Sequence, residues 1–406
     1  MNGLLTKKRV LFINTAIHTT STGRIVEQLG KEVIRQGGEC IALHGARYNS
    51  RSAIPTHLID GKWNEYLHGM AGRLNMHGLG SVIATHRLIK KIRQWKPDLI
   101  HLHNIHGYYL NYPMLMRFLS QYRVPTVWTL HDCWPMTGRC AYFTSQECQQ
   151  WQSGCLKCPS RSDYPKAITN TGTSRNYELK KRYFGLVQNI HIVSVSEWLN
   201  EVVGTSFLAD KPHEVIANGV DTEQFKPSES DWRKRLGIEG KFVVLGVANV
   251  WTTEKGLNDW KTLAESLDDR FALVMVGKTP CELPQPIIHV KKTESITQLS
   301  ELYSMADVLV SLSKQETFGM TLIESLACGT PIMAYANTAQ KELCDSKVGF
   351  PIPNNDLKAV VERLKQLIGS TELKDKTASC REFAIAHYSL QHHLQQYMDL
   401  YRTLLG

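Results

Sequence analysis

Short continuous apolar runs alternate with longer stretches of helical periodicity along almost the whole chain. In the first half the runs are Arg9–Thr15, Cys40–Gly45, Leu99–Asn104, Thr126–Asp132 and His191–Ser196. In the second half they are Lys241–Asn249, Phe271–Gly277, Ile287–Val290, Asp307–Ser313 and Thr330–Tyr335. Most are continuous rather than alternating, as expected of parallel strands covered on both faces. Between them, segments such as Gly23–Gln36, Val82–Gln94 and Ile296–Met305 carry apolar residues at helical spacing. Strand–helix alternation of this kind predicts right-handed crossovers and doubly wound α/β sheets.

The pattern runs twice. Val215 to Asp221 is a short apolar run closed by Asn218-Gly219, and Pro227 with a polar segment follows, so a hinge is expected there. The predicted organisation is one Rossmann-like domain over residues 1–217 and a second over 218–382, facing each other across a central cleft where ligands bind. Segment 133–175 breaks the alternation, being rich in Cys, Ser, Thr, Gly and Pro. It reads as an insertion in the first domain, and a loop that long needs a staple to be ordered.

A length of 406 residues suits two domains, or at most three. With 42% apolar and 21% charged residues, long disordered and fibrous architectures are excluded. No run reaches the roughly 18 apolar residues of a membrane-spanning helix. After Lys7, Lys8 and Arg9 only four strongly apolar residues precede Asn14, too few for a signal-peptide core, so a soluble cytoplasmic protein is expected. The charge of +9 is uneven: residues 1–217 carry 26 Lys and Arg against 14 Asp and Glu, and residues 218–406 carry 21 against 24. A basic first half suits phosphates, a membrane surface or nucleic acid, although a plain solvated surface gives the same count.

The sharpest chemistry lies between Ser311 and Pro331. A strand ends in a polar loop, and a helix starts near Met320 or Thr321, with Gly329 and Pro331 closing it. Backbone amides of Phe318, Gly319, Met320 and Thr321 at a helix N-terminus form a natural diphosphate cradle. Glu316 before the helix and Glu324 within it can accept hydrogen bonds from sugar or ribose hydroxyls. Without a ligand, Glu316 is a surface carboxylate and Glu324 compensates the helix dipole. Lys255 precedes Gly256 just after a strand, where an ammonium can reach a phosphate or simply point to solvent. The loop Ala16–Arg24 is not the G-x-G-x-x-G of nicotinamide or flavin enzymes. Gly23 there allows close backbone approach, and Arg24 either pairs with phosphate or starts the helix. His131 closes the strand Thr126–Asp132, and His103-Asn104 closes Leu99–Asn104, with His106 beyond. These positions all follow strand ends, the side on which open α/β sheets bind ligands.

Cys140, Cys148, Cys155 and Cys158 have seven, six and two residues between neighbours, and Gly154 and Pro159 suit a tight knuckle. Four thiolates closing a tetrahedral structural zinc site would order the insertion, with Cys133 as an alternate ligand and no open position for catalysis. Reduced free thiols are the plain alternative. No base or charge cluster flanks Cys155 and Cys158 in sequence, which weighs against redox activity. The irregular spacing, without interleaved aromatic and basic repeats, weighs against nucleic-acid binding.

Two glutamates separated by seven residues, followed by Ala327-Cys328-Gly329-Thr330-Pro331, resemble the donor-binding segment of retaining glycosyltransferases of the GT-B fold, family 4, of the capsule, exopolysaccharide and colanic-acid type. The resemblance implies that Glu316 contacts the donor sugar, that Glu324 holds the ribose and that Lys255 neutralises the diphosphate. The family usually carries an arginine six residues before that lysine; here it is Asn249, which can hydrogen-bond an oxygen but cannot neutralise charge. Lys255 then works with backbone amides alone or with Arg24. The family's pattern also sets Gly23 facing the donor phosphate and His131 near the transferred sugar, supporting an oxocarbenium-like transition state. His103 and Asn104 would shape the acceptor pocket, and the terminal helix 383–406 would pack back on the first domain. The implied activity is transfer of a hexose from a UDP- or GDP-sugar to a saccharide or polyprenyl-diphosphate-linked acceptor, by front-face attack and without a catalytic metal. The basic domain would sit peripherally against the anionic inner face of the cytoplasmic membrane. The alternatives are a nucleotide-sugar epimerase, a phosphorylase, or a zinc-knuckle nucleic-acid-binding protein.

Overall fold

The computed structural model describes residues 5–45, 52–59, 61–159 and 164–406, so residues 160–163 of the predicted insertion lie outside it. The chain divides into two compact units, Met1–Ile216 with Leu394–Gly406, and Ala217–His393.

Unit 1 holds strands β1 (Arg9–Asn14), β2 (Glu39–His44), β3 (Thr56–Leu58), β4 (Leu99–Leu102), β5 (Thr126–Leu130), β6 (Ile190–Ser194) and β7 (His213–Val215). Its helices are α1 (Ser21–Arg35), α2 (Lys62–Arg73), α3 (Val82–Trp95), α4 (Tyr112–Tyr122), α5 (Thr173–Gly185) and α6 (Glu197–Gly204). The sheet is parallel throughout, in the order β3-β2-β1-β4-β5-β6-β7. Val10 pairs with Cys40 on one side and Leu99 on the other, so β1 lies inside the sheet. Both faces of β1 are covered, which is why its sequence is an unbroken apolar run. Helix α1 buries Ile25, Val26, Leu29 and Val33, and the Thr20 hydroxyl caps it by accepting from the Gly23 amide at 3.0 Å.

Unit 2 contains α7 (Trp232–Arg235), β8 (Phe242–Val250), α8 (Leu257–Ser266), β9 (Phe271–Lys278), β10 (Ile288–Val290), α9 (Ile296–Met305) and β11 (Val308–Ser311). It continues with α10 (Met320–Ala327), β12 (Ile332–Tyr335), α11 (Gln340–Leu343), β13 (Gly349–Ile352), α12 (Leu357–Leu367) and α13 (Glu372–Tyr388). Its parallel sheet runs β10-β9-β8-β11-β12-β13. Val244, Leu273, Met275 and Met333 of the strands pack with Trp260 and Leu263 of α8 in one core. In each sheet the winding direction reverses once, between β1 and β4 in unit 1 and between β8 and β11 in unit 2. Ligands bind beyond the carboxyl ends of strands at such reversals.

All ten expected strands are present, with ends shifted by one or two residues. Three were not expected. β3 is three exposed residues at a sheet edge, β7 is only three residues long, and β13 contains Pro351 at the opposite edge of its sheet. The terminal helix, expected at 383–406, is two helices, α13 and α14 (Leu390–Leu405). Ser389 leaves the helix because its neighbours pair with Val220: the Val220 amide donates to Tyr388 O and the Leu390 amide to Val220 O, both at 2.8 Å. Past this break, Tyr397, Met398, Leu400 and Tyr401 join the core of unit 1.

Candidate functional site

In unit 2 the loops after β8 and β11 meet. Gly319 takes φ 108°, a left-handed conformation suited to glycine, and opens α10. The first N–H groups of a helix lack intrahelical acceptors, so the amides of Met320 and Thr321 stand at an electropositive terminus. Phe318 is buried, its ring edge-on to Tyr388 at 5.9 Å, so it offers its backbone to the site and not its side chain.

Lys255 Nζ donates to Glu316 Oε1 at 2.5 Å. The same oxygen accepts from Ser313 Oγ at 2.9 Å, and the Glu316 amide donates to Thr338 Oγ1 at 2.9 Å. The lysine expected on a phosphate and the glutamate expected on a sugar therefore hold each other. Gly256, next to Lys255, has φ 78°, and a Cβ there would lie 2.4 Å from Leu312 O, which brings the two loops together at a spot only glycine fits. Asn249 is exposed near the end of β8, at the register shift between Val247 and Val250.

Glu324 is buried in α10 and accepts from Tyr303 Oη at 2.8 Å. Tyr303 is buried too; burial and the neighbouring carboxylate push its pKa well above the ordinary phenol value. Glu324 thus does more than compensate the helix dipole, since it is buried and hydrogen-bonded within unit 2. Tyr303 holds one of its oxygens in place, a partner that sequence reasoning missed.

In unit 1 the ends of β1, β4 and β5 are knit together. The Asn104 amide donates to Asn14 Oδ1 at 3.2 Å, and Asn14 Nδ2 donates to Ala16 O at 2.7 Å. His103 Nδ1 and His131 Nε2 lie 3.0 Å apart with stacked rings. His106 Nε2 is 2.8 Å from Asp132 Oδ2, and the Trp134 amide donates to Asp132 Oδ1 at 2.9 Å. Burial alone would raise the Asp132 pKa, but His106, the Trp134 amide and His131 together hold it below the usual carboxylate value. His103, Asn104, His106, His131 and Asp132 line one small cavity. Behind them His101 Nδ1 lies 2.5 Å from Tyr401 Oη and its Nε2 lies 2.8 Å from Thr129 Oγ1, which reaches Tyr397 Oη at 2.7 Å. The histidine cluster is thereby buttressed by the end of α14.

Gly23 lies inside the first turn of α1, where a Cβ would come 3.0 Å from Ala16 O and 3.1 Å from His18 N. The close approach it allows is made by its own loop. Arg24 is exposed beside it.

Cys140, Cys148, Cys155 and Cys158 line one cavity with Phe143 and Trp151, and Cys133 is not among its lining residues. The Gly138 amide donates to Cys155 Sγ at 3.1 Å. Burial pushes the Cys140 thiol up to about 12 and Cys155 up to about 11. Among the described residues no group of three or more His, Cys, Asp or Glu is gathered to hold a metal ion. A charge absent from the local sequence does lie close. The buried Lys180 Nζ donates to Trp134 O at 2.6 Å and Thr137 O at 2.9 Å, and its charge is felt at Cys140 and Cys155. Lys180 comes from α5, beyond the insertion, and its burial pushes its own pKa well below the ordinary lysine value.

The chain matches the family Glycosyltransferase Family 4 over residues 22–224 and Glycosyl transferases group 1 over residues 228–384. It is 27% identical over 323 residues to WcaC of Escherichia coli (strain K12), described as a colanic acid biosynthesis glycosyl transferase, covering 76% of this chain and 77% of that one. The sucrose-phosphate synthase of Thermosynechococcus elongatus superposes with a TM-score of 0.72 at 16% identity, covering 98% and 99% of the two chains. HepE of Anabaena, solved in complex with UDP and glucose, superposes with a TM-score of 0.68 at 16% identity, covering 97% and 98%. At these identities the structural likeness speaks for the fold alone.

Proposed function

The chain belongs to glycosyltransferase family 4 and is a glycosyltransferase of the GT-B fold; from that premise we propose that it moves a hexose from a UDP- or GDP-sugar to a saccharide carried on a polyprenyl diphosphate, retaining the anomeric configuration, in exopolysaccharide or capsule synthesis. One observation carries this reading: Lys255, Glu316 and the start of α10 stand together at the sheet reversal of unit 2. A cation, a carboxylate and free amides in one place suit a ligand with phosphates at one end and hydroxyls at the other. The UDP and glucose in HepE and the colanic acid description of WcaC support the donor and the pathway class.

In the proposed reaction the acceptor hydroxyl oxygen bonds to the anomeric carbon while the bond from that carbon to the diphosphate oxygen breaks. The hydroxyl proton passes to the departing phosphate on the same face. Lys255 exchanges Glu316 for the diphosphate, and with the amides of Phe318–Thr321 it stabilises the negative charge that develops there. Glu316, released, accepts from a donor-sugar hydroxyl. Glu324, oriented by Tyr303, accepts from the ribose. Asn249 hydrogen-bonds a phosphate or sugar oxygen. His131, hydrogen-bonded to His103, attends the transferred sugar and Gly23 the donor phosphate, with His103, Asn104 and Arg24 on the acceptor side. Lys255 and the helix terminus supply the charge for which other transferases use a divalent ion, so no metal takes part in the proposed step. A zinc ion on Cys140, Cys148, Cys155 and Cys158 is proposed in a structural role only: the four line one cavity, and binding would draw together thiols that are not gathered in this structure. Metal analysis of the purified protein tests it: about one zinc per chain supports it, and none overturns it.

A thermal-shift screen of UDP-, GDP- and ADP-sugars tests the donor reading. One class is expected to raise the melting temperature, and Lys255→Ala and Glu324→Ala to blunt the rise. No stabilisation by any of them overturns the reading. NMR of the product anomer tests retention.

A further inference from the structure

Helix α2 is inside out. Its inward side carries two polar, hydrogen-bonded residues, Asn64 and His68. Asn64 Nδ2 donates to Ser81 Oγ at 2.7 Å, and His68 Nδ1–H donates to the same oxygen at 2.7 Å. His68 Nε2 accepts from the amides of Gly78 at 2.9 Å and Gly80 at 3.2 Å. The outward side is apolar. Trp63 is 83% exposed, Tyr66 64%, Leu67 59%, Met70 47% and Leu74 59%. Counted from Trp63, these residues fall at i, i+3, i+4, i+7 and i+11, one continuous stripe of the helix and its first following residue. A hydrogen bond from the Ile168 amide to Arg73 O, at 2.8 Å, brings another exposed aliphatic residue to its end. Soluble proteins rarely present such a contiguous patch to water, so something covers it.

The charges around the stripe identify the cover. Across α2 and α3 there are six basic residues, Lys62, Arg73, Arg87, Lys90, Lys91 and Arg93, against one acidic residue, Glu65. Arg87, Lys90 and Arg93 are exposed on α3, which itself begins with the exposed pair Val82 and Ile83. Aromatic residues at one end of an apolar stripe, aliphatic residues along it and exposed cations on α3, the helix that starts against α2, match a bilayer interface. There aromatic rings sit at headgroup level, aliphatic chains enter the acyl boundary and Lys and Arg meet anionic headgroups. We propose that the outward face of α2, with the exposed basic residues of α3, whose N-cap Ser81 is bonded by Asn64 and His68 of α2, is the surface by which this protein lies on an anionic lipid bilayer. The inference deepens the acceptor side of the proposed function, and rests on that reading for its purpose: a lipid-linked acceptor is met at the bilayer surface.

Flotation of the full chain with phosphatidylcholine–phosphatidylglycerol vesicles tests it, with phosphatidylcholine vesicles and high salt as comparisons. The protein is expected to float with the anionic vesicles at low salt and to be largely released at high salt. Trp63→Ser with Leu67→Ser and Met70→Ser is expected to weaken vesicle binding roughly tenfold or more. The melting temperature should hold, because these side chains are solvent-facing. Leu156→Ser, an equally exposed change in the cysteine segment, should leave binding unchanged. Arg87→Gln with Lys90→Gln and Arg93→Gln should lose the preference for anionic vesicles. Wild-type protein that fails to float, or a triple serine variant that floats like wild type, overturns the proposal. So does a wild-type dimer that the triple variant turns into monomer without any lipid binding, since a second copy is then the cover. A nucleotide-sugar thermal shift on the same samples keeps the two readings apart: flotation lost with the shift retained removes only the membrane face.

Discussion

Lys255 and Glu316 make the donor loops testable one side chain at a time. Their contact is an ion pair that a phosphate ligand must displace. Lys255→Ala is expected to lower the transfer rate by about 10²–10³-fold, the usual cost of removing one donor to a developing anion. Glu316→Gln keeps the shape and should leave nucleotide-diphosphate binding intact while lowering sugar transfer, read as separate effects on affinity and kcat. Gly256 is a structural counterpart. Its φ of 78° and the 2.4 Å approach to Leu312 O leave no room for a methyl group. Gly256→Ala should cost about 1–3 kcal/mol in a urea melt and weaken donor binding with it. These residues were legible in the sequence because each lies in a short loop between a strand and a helix, where residue type and spacing report directly on chemistry. Their partners were not. Tyr303 lies 21 residues before Glu324, in what reads as an ordinary helix, and Tyr401 lies 300 residues from His101. Nothing in the local pattern around such residues marks the contact.

Most of the strands that sequence reasoning identified have both faces buried, since a strand covered on both sides can carry apolar residues at every position; the half-buried edge strand β10 is the exception. β3 and β7 escaped because each is only three residues at a sheet edge, exposed in β3 and partly so in β7, with charged or polar residues breaking any apolar run. The break at Ser389 escaped because it answers to Val220, a distant pairing and not a local glycine or proline. The second of the two helices it creates is a test of its own. Tyr401→Phe removes the hydroxyl beside His101 in a buried setting and should cost about 1–3 kcal/mol, measured as a lower midpoint in urea. Removing residues 394–406 takes Tyr397, Met398, Leu400 and Tyr401 from the core of unit 1. At about 2–5 kcal/mol for each large buried side chain lost, that deletion should leave unit 1 unfolded, seen as loss of its protease resistance.

Over the whole molecule, two buried histidines, His68 in unit 1 and His393 in unit 2, predict acid sensitivity. Burial holds each pKa down to about 4, His68 against the Tyr108 carbonyl and His393 against that of Ala217. An unfolded histidine titrates near 6.5, so as pH falls the unfolded chain takes up the proton first. Stability is therefore full above about pH 6.5 and is lost between there and about pH 4, by up to roughly 3 kcal/mol for each histidine. Denaturation midpoints measured across that range should fall steadily; a flat profile would contradict the burial of both rings. The assembly of unit 1 from residues at both ends of the sequence has a consequence for biogenesis. A ribosome delivers Leu394–Gly406 after every residue of unit 2. The first unit to begin synthesis is thus the last that can finish folding, and it must keep an unfilled core while its neighbour is made. A nascent chain arrested just before Leu394 should already shelter unit 2 from protease, while unit 1 is still being cut.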